Sequence, residues 1–125
     1  MAWSADAPNL GFSTGEPWLP AGASHRSLAV DQQEGRDGST LDFTRKCLAL
    51  RKRQPAFRTG SMRIIEASEA LLVFDRAVGG QHLRCTFNLS EDEMRYGAGG
   101  KVLLTTGHVE GGGLGPYAAV IEEIA

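Results

Sequence analysis

"ALLVFDRAVGGQHLRCTFNL", residues 70–89, sets two runs of strand formers on either side of a glycine pair. Gly79 and Gly80 supply the backbone freedom of a two-residue turn, so "ALLVFDRAV" and "QHLRCTFNL" are expected to pair as an antiparallel hairpin. In the second run Leu83, Cys85, Phe87 and Leu89 alternate with His82, Arg84, Thr86 and Asn88, which predicts one core face and one wetter face. "SMRIIEA" (61–67) precedes the hairpin, and "KVLLTT" (101–106) and "PYAAVIEEI" (116–124) follow it as further strands. Alternation in the last of these puts Tyr117, Ala119 and Ile121 on the inner face. "EDEMRYGAGG" (91–100) reads as a polar loop between strands.

Upstream of Gly60 the period changes. From Ser39 to Gln54 the sequence predicts a helix, with Ser39 as its cap and Asp42 near the positive end of the helix dipole. Leu41, Phe43, Thr44, Cys47, Leu48 and Leu50 form its apolar stripe. Arg51, Lys52 and Arg53 crowd the last turn, where positive charge suits the negative end, and Pro55 stops the helix. "RKR" is read as a solvated helix terminus rather than a phosphate site. The fold class is therefore mainly β: a loop and a single α-helix followed by an antiparallel β-sandwich or sheet of about five or more strands.

Residues 1–38 hold Pro8, Pro17 and Pro20 among many Gly, Ser and Asp residues and show neither a 2 nor a 3.6 repeat. A structureless stretch of that length is uncommon inside a compact domain, and Trp3, Phe12 and Trp18 are large anchors that free linkers seldom carry. The division into domains is placed at 1–54 and 55–125.

Composition narrows the function classes. The chain has 125 residues, 42 % hydrophobic and 22 % charged, with a formal charge of −2. That suits one modest folded domain and gives no basic footprint for nucleic acid. The longest apolar run, "ALLVF" (70–74), is far short of the roughly 20 residues of a membrane-spanning helix. No basic region followed by an apolar stretch opens the chain, and Cys47 and Cys85 sit among apolar neighbours, so a cytoplasmic home with reduced, buried thiols is expected. The sequon "NLS" at Asn88 then carries no meaning.

Motifs for chemistry are absent on inspection. "GGGLG" (111–115) leads through Pro116 into a strand and not into a helix N-terminus, so it is read as a connecting loop. Lys101 follows Gly100, but position 95 is Arg and position 102 is Val, which breaks the phosphate-loop pattern. His25, His82 and His108 are far apart and lack ligand-spaced neighbours, so no metal and no cofactor are expected. Glu91, Asp92 and Glu93 in a loop, and Glu122 and Glu123 near the end of the sequence, are read as solubilising carboxylates.

"MAWSADAPNLGFSTGEPWLP" (1–20) resembles the segment that follows the last catalytic barrel strand in bacterial α-glucosidases of the α-amylase superfamily, glycoside hydrolase family 13, oligo-1,6-glucosidase-like branch. Trp3, Gly11, Phe12, Ser13, Pro17 and Trp18 carry the match. "STLDFTRKCLALRKRQPAFRTGSMR" (39–63) is similar to that family's final barrel helix and the step into its C-terminal domain, and "CTFNLS" and "LGPYAAVI" are similar to its C-terminal β-sandwich. The resemblance implies that residues 1–54 are the last loop and helix of a barrel and that residues 55–125 are a stabilising sandwich. It also implies that the family's catalytic carboxylates lie upstream, at positions this sequence does not contain.

On this resemblance the chain is a C-terminal fragment of an α-glucosidase, inert alone. Its parent hydrolyses terminal α-linked glucose with retention, and its partner is the remainder of the barrel. Phe12 and Trp18 are either packing anchors or sugar contacts at the barrel rim. The uncovered helix stripe, centred on Phe43, Cys47 and Leu50, is expected to drive self-association into a homo-oligomer. The other reading is an independent carbohydrate-binding or protein-interaction β-module. It is weaker because Phe74, Phe87 and Tyr117 are expected inside and only Tyr96 is left in a loop.

Overall fold

The structure, a computed structural model, describes residues 1–97 and 99–125. Ala98, within the expected polar loop, lies outside the described residues. The chain forms two compact units, residues 1–48 and 49–125.

In the first unit a 3-10 turn at Pro8–Gly11 and a short helix α1 (Val30–Gln33) interrupt a succession of turns. Its hydrogen bonds join distant segments: Val30 N–H donates to Ala2 O and Asp31 N–H to Trp3 O, each at 3.1 Å. Trp3 and Ser4 N–H both donate to Leu10 O, at 2.8 and 3.1 Å. The strand-like segment at 2–4 is thus clamped between residues 10 and 30–31. Of the apolar side chains in residues 1–48, only Ala5, Leu10 and Ala29 are buried.

Helix α2 (Thr40–Arg53) begins where the sequence places it. Asp42 N–H donates to Ser39 Oγ at 3.2 Å, the expected cap, and Leu41 N–H donates to Gln33 Oε1 at 3.1 Å. Lys46 bridges Asp37 and Asp42 at 2.7 and 2.8 Å, and Arg45 meets Glu34 with two bonds of 2.6 and 2.9 Å. After Pro55 a single turn, α3 (Ala56–Thr59), adds a helix the sequence reading lacked.

The second unit holds a five-stranded antiparallel sheet in the order β1 (Ser61–Ala67), β2 (Leu71–Val78), β3 (Gln81–Asn88), β8 (Ala119–Glu123), β5 (Lys101–Thr106). Gly79 has φ +57° in the expected two-residue turn, and β2 and β3 stay in register from Val78↔Gln81 to Leu71↔Asn88. A second antiparallel sheet of two-residue strands, ordered β4 (Met94–Arg95), β7 (Gly113–Leu114), β6 (Val109–Glu110), covers part of one face. Leu71, Val73, Leu114, Ala118 and Val120 form the core between the sheets, with Met94, Tyr96 and Val109 packed against it. "GGGLG" is thus not a plain connector. Gly111 and Gly112, at φ +54° and +78°, turn β6 into β7 as a hairpin.

Three face assignments need correction. In β8 the inward residues are Val120 and Glu122, preceded by the buried Ala118; Tyr117 is 63 % exposed and sits at φ +54° in the turn before the strand. Ala119 and Ile121 are only half-buried. In β3, Thr86 and Asn88 are buried on the supposedly wetter face, because that face meets the second sheet, while Leu89 is exposed. Phe74 and Phe87 stack on the opposite face with ring centroids 5.8 Å apart, half-buried.

Candidate functional site

Three successive residues in left-handed conformation, Asn9, Leu10 and Gly11 at φ +51°, +56° and +67°, reverse the chain ahead of Phe12. Two of them carry a Cβ and are held there at some strain. Asn9 stabilises the reversal through its side chain, whose Nδ2 donates to Ser13 O at 3.2 Å and Gly15 O at 2.8 Å. Pro17 and Pro20 then bracket Trp18 and Leu19, which lie in a bend.

The result is an open cavity of about 590 Å³ within the first unit. Phe12 and Trp18 both line it, together with Leu10, Leu19, His25 and Leu28. The structure therefore brings together the two residues singled out as sugar contacts or packing anchors. Within this chain neither is covered: Trp18 is 92 % exposed and Phe12 63 %. His25 Nδ1 is engaged by Gly22 N–H at 3.1 Å, so few polar groups of the wall remain uncommitted.

Asp31 fastens the base of this loop system. Its Oδ1 and Oδ2 accept from Ala5 N–H at 3.1 and 3.0 Å, and Arg26 donates to Ala5 O. Burial pushes the Asp31 carboxyl up, but hydrogen bonds from Ser4, the Ala5 amide and Gln32 outweigh it and leave the group below the usual carboxylate range.

The helix stripe is less open than its pattern implies. Leu50 is buried at 5 % exposure, so it is not available as a third self-association residue; Phe43 and Cys47 are half-buried and Leu48 is exposed. Cys85 is buried, and burial pushes its thiol up to about 11, which suits an inert core cysteine; Cys47 is only half-buried. Asn88 of the sequon is buried with Nδ2 on Leu114 O and Gly115 O, at 3.0 and 2.8 Å.

Among the described residues no group of three or more His, Cys, Asp or Glu side chains could hold a metal, and no helix is long and apolar enough to cross a membrane. Glu91, Asp92 and Glu93 are exposed as expected, whereas Glu122 is buried rather than solubilising.

One cluster escaped the sequence reading. Asp75, buried in β2, takes Arg84 Nε and an Arg84 terminal nitrogen at 2.9 and 3.0 Å, and lies 3.0 Å from His82 Nε2. The Arg84 hydrogen bonds, opposed by burial and helped by His82, hold the Asp75 carboxyl below its ordinary value. The cue was available, since a two-residue turn at 79–80 sets position 75 opposite position 84.

Comparison with known proteins gives two matches along the chain. Residues 1–60 match the family profile described as "Alpha amylase, catalytic domain", and residues 61–121 match "Domain of unknown function (DUF3459)". The chain is 40 % identical over 92 residues to a probable alpha-glucosidase of Rhizobium meliloti, covering 74 % of this chain and 16 % of that protein. It is 32 % identical over 127 residues to the trehalose synthase/amylase TreS of Mycobacterium tuberculosis, covering 88 % of this chain and 21 % of the relative. Among solved structures, the alpha-glucosyl transfer enzyme XgtA superposes with TM-score 0.82 at 37 % identity, over 100 % of this chain and 25 % of XgtA. The trehalulose synthase MutB of Pseudomonas mesoacidophila MX-45 shares the fold at TM-score 0.85 and 22 % identity, over 99 % of this chain and 24 % of MutB.

Residues 1–60 are thus similar to the catalytic domain of the alpha-amylase family, glycoside hydrolase family 13. The chain is similar to a part of alpha-glucosidase and oligo-1,6-glucosidase sequences. It spans about a sixth to a quarter of the length of these relatives.

Proposed function

We propose that this chain is the C-terminal structural part of an α-glucosidase, in which residues 1–54 complete a catalytic barrel and residues 55–125 form a stabilising β-domain. Alone it turns over no glycoside. In the parent, terminal α-linked glucose is hydrolysed with retention by a carboxylate pair supplied from the remainder of the barrel, which is also this chain's partner. Phe12 and Trp18 stand at the rim, where their faces meet either the barrel or a bound sugar.

The observation that carries this reading is the state of the first unit. It is shaped by hydrogen bonds yet buries three apolar side chains, and it leaves Trp18 almost wholly exposed beside an apolar cavity. A large exposed apolar patch marks a contact surface. The barrel is the cover that the family relationship suggests.

The test exchanges this chain for the matching segment of the 40 % identical Rhizobium meliloti enzyme and follows hydrolysis of a chromogenic α-glucoside. The chimera is expected to turn over substrate while the isolated chain does not. Turnover by the isolated chain would overturn the proposal. A maltose titration of the two tryptophans in the isolated chain separates the remaining roles of Phe12 and Trp18: a saturable fluorescence change identifies sugar contacts, and none identifies packing.

A further inference from the structure

On one face of the five-stranded sheet the register sets Arg63 opposite Asp75, Asp75 opposite Arg84, and Arg84 opposite Glu122. The four residues occupy four adjacent strands, β1, β2, β3 and β8, and their charges alternate. Asp75 is 3 % exposed and Glu122 1 %. Arg84 holds Asp75 with two bonds, Arg63 approaches it at 3.7 Å, and His82 lies on the same carboxylate. Beyond Arg84, Glu122 Oε1 accepts from Gly99 and Gly100 N–H at 3.4 and 3.3 Å, while its buried Oε2 has no hydrogen-bond partner among the described residues.

A buried charge row is a costly way to stabilise a sheet, since well-packed apolar side chains of similar volume often do as well or better. Its value here lies in what the apolar residues leave unspecified. β2 opens with Leu71, Leu72, Val73 and Phe74, apolar on both faces. β1 carries Ile64 and Ile65 at a bulge, and β5 carries Leu103 and Leu104 at another. A strand displaced by one or two residues would still present apolar side chains to either side, so hydrophobic pattern alone sets register weakly. The charges remove that freedom. The two-residue turn at 79–80 already sets β3 against β2, but moving β1 by two residues along β2 would set Arg63 against Val73 or Ala77, and moving β8 by two residues along β3 would set Glu122 against His82 or Thr86.

We infer that Arg63, Asp75, Arg84 and Glu122 form a cross-sheet charge ladder whose role is to fix the register of β1 and β8 against the β2–β3 hairpin. The ladder selects one pairing among several of similar apolar burial.

Two sets of variants test it by two-dimensional amide NMR of the whole chain with cross-strand proton contacts and thermal melts. The apolar double variant Asp75→Leu/Arg84→Met is expected to keep its melting temperature or gain slightly, yet to show a second set of β1 and β8 peaks at about a tenth of total intensity. A single peak set with the native 63/75 and 84/122 contacts in that variant overturns the inference. The exchange Asp75→Arg/Arg84→Asp places like charges beside Arg63 and Glu122 and is expected to lose the single native set. Adding Arg63→Asp and Glu122→Arg restores alternation and is expected to recover it; a fourfold variant no better than the twofold exchange overturns the inference even where the apolar variant fails to fold.

Discussion

Residues 1–48 and residues 49–125 hold their shapes by different means. The first stretch buries Ala5, Leu10 and Ala29 and otherwise relies on hydrogen bonds that reach across the loop, such as the Ala5 amide on Asp31. The second closes Leu71, Val73, Leu114, Ala118 and Val120 between two sheets. Hydrogen bonds exchanged against water contribute about 1 kcal/mol each, and burial of apolar area dominates stability. A segment with many of the former and little of the latter has a defined path but little resistance of its own to unfolding.

The sharpest way to break this contrast is to separate the parts. A chain beginning at Ser39 is expected to keep a cooperative thermal transition, while a peptide of residues 1–38 is expected to show none by circular dichroism. A sigmoidal melt of the peptide would mean that the loop is self-supporting. Next in size is Leu114→Ala, which empties the centre of the core at a side chain with no exposure and should cost about 2–5 kcal/mol in urea unfolding. Leu28→Ala, at an exposed cavity wall, should stay within about 0.5 kcal/mol.

Asp75→Asn comes third, at about 2 kcal/mol near neutral pH, because it leaves Arg84 half-buried beside an uncharged partner. Its pH dependence follows from a folded carboxyl held below its unfolded value. The stabilisation is present above the unfolded value of about 3.9 and is lost as pH falls through the lower folded value. The stability gap between parent and variant should therefore close in acid, and a gap independent of pH would exclude the ion pair as its source. Smallest of all is Trp18→Ala, within about 0.5 kcal/mol in the isolated chain. The same change in the chimera should reduce its α-glucosidase activity, and equal activity would remove Trp18 from the rim.

What could be read directly from the residues was local. Gly79–Gly80 forces a turn through backbone conformation, and Ser39 caps a helix through one hydrogen bond, so both are legible without knowing what lies across from them. The face of β8 was not. Alternation followed the apolar Ile121, whereas the inward residue is the charged Glu122, made tolerable there by Arg84 on the neighbouring strand and the Gly99 and Gly100 amides. Thr86 and Asn88 were taken for a wet face because polarity was read residue by residue. Asn88 is buried since the β6–β7 hairpin supplies carbonyls for its amide. In the first unit Phe12 and Trp18 line one cavity, and nothing in the spacing of this aperiodic loop told how exposed each would be.

The position of β8 between β3 and β5 also bears on how the sheet assembles. The β2–β3 hairpin closes over two residues and costs little chain entropy, so it is the natural first event. β5 has no partner in its sheet other than β8. It must wait for a strand that arrives later in sequence before it can join, and the release of β8 frees two strands rather than one. The sheet therefore has a slow side and a fast side, and its last step to form is also the first whose loss takes a neighbour with it.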